Sequence, residues 1–366
     1  MSNSTKHKTS IGGQALIEGI MMRGPKGNAM SVRTPDGNIV TEVEKYVPLK
    51  SKCKFFGIPL IRGIVGFAES MITGYKYLMK SADLALTEEE KEEDMSKLDK
   101  WLTEHMGEKM MAVIGFLSAI LGVLISLVIF MYLPTLCVDL FDNYILKNYD
   151  IQKFHPLLEG VLRMVIFVLY MFIVSKMEMI DRVFMYHGAE HKTIFCYENG
   201  LELTVENIKK MSRFHPRCGT SFMFVMIIIS VLISSALVLI FPQLAGINRL
   251  LWMLLKLAIL PLVMGLGYEF IKFAGKHDNA IVKLLSLPGL LMQRITTSEP
   301  TDDVIEVAIE SMKAVITDNP EDDKIIWHWK SYINIVQIAF ALSMMPILKR
   351  FVSLKIFLIL KEKKFL

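Results

Sequence analysis

Four long apolar runs decide what this chain can fold into. Met111–Leu133 and Phe222–Phe241 contain no charged residue, and Leu250–Phe270 carries Lys256 and, near its end, Glu269. Leu157–Ile180 holds Glu159, Arg163, Lys176 and Glu178, placed where long side chains can snorkel from the ends of a span. Each run is long enough to cross a hydrocarbon layer about 30 Å thick as a helix. Pro261 is expected to kink the fourth. With 52% hydrophobic and 21% charged residues, too much apolar surface is present for a soluble fold to hide. The fold expected is mainly α: a polytopic membrane protein with a four-helix core over residues 111–271.

Loop charge sets the expected orientation. Residues 134–156 hold only Lys147 and Lys153 against Asp139, Asp142 and Asp150, and the 242–249 connection holds only Arg249. By contrast 181–221 carries Arg182, Lys192, Lys209, Lys210, Arg213 and Arg217. Both ends of the core and the 181–221 loop are therefore expected on the cytoplasmic side of a bacterial plasma membrane. The net charge of +4 is small and dispersed, which argues against a nucleic-acid partner, while basic loops suit anionic lipid headgroups. Cys53, Cys137, Cys196 and Cys218 form no close-spaced disulfide framework, and residues 1–10 lack the apolar core of a signal peptide.

The remaining segments read as accessories to that core. Residues 1–55 are expected to form a small β-rich region: Thr34-Pro35-Asp36-Gly37-Asn38 is a turn between Ala29–Val32 and Ile39–Val43. Gln14–Pro25 is expected as one strand with Glu18 and Arg23 facing water. Its Gly12-Gly13-Gln14 start is too short a motif to carry function. In 56–110, Phe56–Ser81 reads as an interfacial amphipathic helix and Thr87–Lys100 as an acidic linker. Residues 272–330 are expected as a cytoplasmic helical region, with a helix at about Asp303–Thr317, and 331–366 as an apolar, basic interfacial tail or hairpin.

The chemistry concentrates in 181–221. His187 and His191 stand four apart, so on a helix they share one face and can hold one ion between two imidazoles. Glu190 completes an H-x-x-E-H spacing in which the glutamate serves as general base toward a metal-activated water. His215 and Cys218, three apart, supply candidates for a third and fourth ligand, and imidazole with thiolate suits Zn²⁺. Glu269 is a further candidate ligand or base. Against this stand ordinary polar histidines, a closed structural site, and Cys218 acting as a nucleophile without metal.

Together, Gly12-Gly13-Gln14-Ala15, Glu18-Gly19-Ile20-Met21-Met22-Arg23-Gly24-Pro25, Tyr186-His187-Gly188-Ala189-Glu190-His191-Lys192, His215–Ser221, Tyr268-Glu269 and Thr296–Pro300 resemble the YqhQ family of bacterial membrane proteins. The resemblance runs in order from Ile11 to Val315 and leaves out the tail after about Trp327. It implies a membrane protein usually described as a metal-dependent enzyme, and adds Glu18 and Arg23 to the candidate site residues. The leading expectation is a Zn-type hydrolase of a membrane-associated or lipid substrate, with Glu190 as base. The competing one is a scaffold or small transporter whose His/Cys cluster is a structural clamp.

Overall fold

A computed structural model describes residues 8–87, 108–144, 154–216, 218–244, 246–274, 280–319 and 322–323. The expected acidic linker, the 331–366 tail, Lys147, Lys153 and Arg217 lie outside the described residues.

The N-terminal region is a four-stranded antiparallel meander in the order β1-β2-β3-β4: β1 Gly12–Leu16, β2 Gly19–Gly24, β3 Gly27–Arg33 and β4 Ile39–Glu44. The single strand expected over Gln14–Pro25 is instead a hairpin, because Ile17 and Glu18 form a two-residue turn that pairs Leu16 with Gly19. Glu18, the second residue of the turn, takes a positive φ of 47°. The central strands do not face water either. Ile20, Met22 and Ala29 enter one core, whereas Met21, Met30 and Val32 enter another on the opposite face. A strand covered on both faces reads as a continuous apolar run, and this explains Ile20-Met21-Met22.

Two layers cover the sheet. On one face lie α5 (Glu178–Glu198) and α10 (Asp302–Val315). Thr301 stands at the N-cap position of α10 without a side-chain cap bond, Asp302 and Asp303 occupy its first turn, and Val304, Ile305, Ala308, Ile309, Met312 and Val315 form its buried stripe. On the other face lies α1 (Ile61–Ala85), through Tyr77 and Ala85. The far end of α1 packs on the fourth span, where Gly63 meets Tyr268 so closely that a Cβ on it would sit 2.8 Å from that residue's Cβ.

Among the described residues, four helical stretches are long and apolar enough to cross a membrane: Ile120–Tyr144, His155–Val174, Phe222–Ile240 and Arg249–Phe270. They lie in α2 (Glu108–Leu127) with its continuation α3 (Leu133–Tyr144), α4 (His155–Val174), α7 (Gly219–Ile240) and α8 (Arg249–Ala274). Leu124, Leu169, Leu239 and Leu254 are exposed on them, as lipid-facing side chains are. The first span does not end at Leu133. A π turn at Val128–Tyr132 leads into α3, whose second residue is Pro134. Proline cannot donate to the carbonyl four residues earlier, that of Phe130, and Arg163 Nε on α4 donates to it instead at 2.9 Å. Arg163 therefore does not snorkel. Glu159 does not either: it is buried, accepting Lys256 Nζ at 2.7 Å and Trp252 Nε1 at 3.1 Å, while Lys256 also donates to Thr135 Oγ1 at 2.9 Å. The second span closes at Val174, and Ser175–Met177 turn the chain into α5.

Candidate metal centre

What read as a histidine loop is mostly helix. His187, Glu190 and His191 ride on α5, whose buried face runs from Tyr186 to Cys196. The helix is pressed against the segment that follows α9 (Ala280–Thr296). Gly188 faces the Ser298 carbonyl with no room for a Cβ, and Ser298 N–H donates to the Phe184 carbonyl at 2.9 Å. Cys218 caps α7 at the point where the third span begins, so the cluster joins α5 to the end of that span.

Both imidazoles are oriented by main chain. His187 Nδ1 lies 2.8 Å from the Thr296 carbonyl and His191 Nδ1 lies 2.5 Å from the Arg213 carbonyl. A carbonyl only accepts, so each Nδ1 carries its ring proton when the ring is neutral, and each Nε2 is left as a donor of a lone pair. His187 Nε2 is 3.2 Å from Cys218 Sγ, the two rings stand 4.4 Å apart, and one ligand atom from each of His187, His191 and Cys218 lies within 4.8 Å of the others. Ligands held tetrahedrally by Zn²⁺ at about 2.0–2.3 Å are themselves roughly 3.3–3.8 Å apart. The three residues fit such an ion in spacing and in donor chemistry.

The electrostatics agree with a ligand set. Burial works against charge on His187, yet the Cys218 sulfur, Glu190 and the Thr296 carbonyl together outweigh it and lift the imidazole to about 9. Burial likewise opposes ionisation of Cys218, but His187 and His191 hold it well below the usual thiol range. Glu190 is 6% exposed, and its burial raises its pKa against the pull of the two histidines. Its Oε1 accepts the Gly13 N–H at 2.9 Å. That donor was invisible to motif reasoning, as were the Thr296 and Arg213 carbonyls, because main-chain groups leave no residue-type signature. The one available hint was the paired glycine: a Cβ on Gly13 would come within 3.1 Å of the Glu190 carboxyl carbon.

The other sequence candidates go elsewhere. His215 borders the cluster, with its ring 5.5 Å from that of His191 and 4.6 Å from Phe195, but stands outside the three-residue group. Its main chain is clamped by Gln293, which accepts the His215 N–H at 2.7 Å and donates to its carbonyl at 2.8 Å. Glu269 takes a two-pronged hydrogen bond from Arg62. Glu18 accepts both prongs of Arg182 at 2.8 Å and the Tyr186 hydroxyl at 3.0 Å. Arg23 donates to Asn28 at 2.9 Å and stacks 4.0 Å over the Tyr46 ring. These three brace the fold around the site.

A cavity of about 720 Å³ opens beside the cluster. Its walls are Thr9–Ala15, the α5 residues Val183, Phe184, His187, Glu190, His191 and Ile194, then His215, Cys218, Gly219 and Met223, and finally Tyr268 and Lys272. It therefore lies at the ends of the third and fourth spans. That volume is in the range of small-molecule clefts.

A family model described as "Protein of unknown function (DUF1385)" matches residues 58–318. The "Uncharacterized protein YqhQ" of Bacillus subtilis (strain 168) is 33% identical over 322 residues, covering 85% of this chain and 94% of that protein. No solved structure matches the chain. The order of motifs, the four spans and these two matches agree, and the chain belongs to the YqhQ family.

Proposed function

We propose that the protein is a membrane-embedded, Zn²⁺-dependent hydrolase that works on a membrane-associated substrate from the cytoplasmic face of the bacterial plasma membrane. The observation that carries this reading is the pair of histidines whose Nδ1 atoms are tied to main-chain carbonyls while their Nε2 atoms turn toward Cys218, beside a buried glutamate in an open cavity. His187, His191 and Cys218 would hold the ion, and three protein ligands leave a fourth position for water or substrate, as catalytic zinc sites do. When bound, Zn²⁺ supplies Lewis acidity and lowers the pKa of water. Glu190 removes a proton from water in the cavity and returns it to the leaving group. A carboxyl whose pKa burial has raised suits both halves of that task. Gly13 fixes the carboxyl's orientation, and Gln293 holds the His215 turn that backs His191. The loop charges of the sequence support the cytoplasmic placement.

The charged residues within the spans favour this reading over a transport path. Lys256, Glu159 and Arg163 bond to one another's elements or to backbone, and Glu269 is occupied by Arg62, so they knit helices together. Metal analysis of the purified protein is the direct test. The native chain is expected to hold about one zinc per molecule, lost in His187→Ala/His191→Ala. Glu190→Gln is expected to keep the metal and lose at least a hundredfold in hydrolysis. Unchanged metal in the double variant overturns the site, and full biological activity in a metal-replete Glu190→Gln chain makes the cluster a structural clamp.

A further inference from the structure

We propose that the occupant of the cavity is an extended polypeptide segment that pairs as a fifth strand on the free edge of β1 and so lies across Glu190 and the His/Cys cluster. This deepens the hydrolase reading and rests on it for the chemistry, but not for the binding.

The argument starts from the register. Among the described residues β1 is an edge strand, paired with β2 alone, and the two-residue turn makes Leu16 and Gly19 the closing pair. Along an antiparallel strand the backbone groups of successive residues point alternately to opposite sides. Leu16, Gln14 and Gly12 therefore turn toward β2, and Gly13, Ala15 and Ile17 turn outward. Two hydrogen bonds match that assignment: Gly13 N–H reaches Glu190 at 2.9 Å, and Ile17 N–H reaches Ser81 Oγ at 3.3 Å. Between them, the Gly13 carbonyl and both backbone groups of Ala15 face the open edge with no hydrogen-bond partner among the described residues. Those are the groups to which an added strand bonds.

The space beside them is continuous with the chemistry. Residues Thr9–Ala15 form one wall of the 720 Å³ cavity, a run of about 23 Å at 3.3 Å per residue. A Cβ on Gly12 would touch nothing within 4 Å, so no side chain obstructs approach to the strand there. Facing it are Val183, Phe184, Ile194 and Met223, which can receive the alternate side chains of an extended chain. A lipid acyl chain would satisfy these apolar residues equally well. It would also strip water from the three outward backbone groups without replacing their hydrogen bonds, which a peptide does not. Cleavage adds one water across the peptide C–N bond. The water oxygen becomes part of the new carboxyl group, the C–N bond breaks, and the proton taken up by Glu190 ends on the leaving nitrogen.

The experiment uses the full chain in lipid nanodiscs and fluorescein-labelled β-casein, an unfolded protein rich in extended segments. Binding is read by anisotropy and by hydrogen exchange at the Ala15 amide, with and without Zn²⁺. Ala15→Pro deletes only an outward N–H, a substitution that edge strands accept, and Ala15→Val keeps it. Casein is expected to slow exchange at Ala15 at least tenfold, and Ala15→Pro to weaken binding at least tenfold while Ala15→Val stays within threefold. Equal binding by the proline variant, or none by the native chain, overturns the proposal. Loss of exchange protection to competing phosphatidylglycerol vesicles would assign the cavity to lipid. If Ala15→Pro does not fold, exchange at Ala15 in the native chain decides alone. Zinc content measured on the same samples separates failure of the peptide from failure of the hydrolase reading, since a metal-loaded chain that ignores casein loses only the former.

Discussion

At the scale of single residues, cysteine environment sorts the thiols into distinct chemistries. Burial lifts Cys196 to about 11, Cys53 is exposed, and Cys218 is held as thiolate by two histidines. Iodoacetamide at pH 7 is expected to label Cys53 and, in metal-free protein, Cys218, while sparing Cys196; Zn²⁺ should protect Cys218, and peptide mass spectrometry reads all three. The same site predicts a proton count. With His187 raised to about 9, the metal-free imidazole is protonated at pH 7 and must lose that proton to ligate. Zinc affinity should therefore climb about tenfold per pH unit from 7 toward 9 and level off above it. Calorimetry in two buffers of different ionisation enthalpy checks the proton released. Of these residues, the i,i+4 pair His187/His191 was legible from spacing, because a helix converts spacing into a shared face, whereas Cys218 reaches them from the start of another helix. His215 carried the same weight in sequence, and the structure sets its ring 5.5 Å from that of His191, beside the three-residue cluster.

Among elements, the four spans were legible because the bilayer demands one composition over one length. The ends of the third and fourth were legible to within a residue, whereas the second closes early at Val174 and the first runs on past Leu133. Pro134 looks like a terminator only until Arg163 is seen replacing its missing donor on the Phe130 carbonyl. The two positions are therefore expected to couple. Arg163→Met alone removes the side-chain donor from a half-buried carbonyl and should cost about 1–3 kcal/mol. Pro134→Ala restores the helical donor, so adding it to Arg163→Met should recover most of that loss. Thermal unfolding of both singles and the double measures the coupling, and strict additivity would mean that the Arg163 bond contributes nothing. The 34–38 turn between β3 and β4 was legible, but the β1–β2 hairpin was misread as one strand facing water, because strands buried on both faces lose the alternation by which a single exposed face is recognised.

On the scale of the whole molecule, α1 is a member of two assemblies. Over its 25 residues, about 37 Å at 1.5 Å per residue, one end lies against the fourth span through Gly63 and Arg62, and the other supplies Tyr77 and Ala85 to the core beneath the sheet. A rod shared in this way leaves neither assembly a private stability. The sheet and the fourth span should open as one cooperative unit, so that protection of β3 amides reports on a helix crossing about 20 Å away along α1. Gly63→Leu, which forces a side chain into Tyr268, is expected to speed exchange at Met30 and Val32 as much as exchange within α8. Independent rates would mean the sheet is a detachable domain. If the rates move together, the strand that anchors Glu190 inherits its rigidity from the apolar spans, and the layer that holds those spans becomes part of what keeps that carboxylate in place.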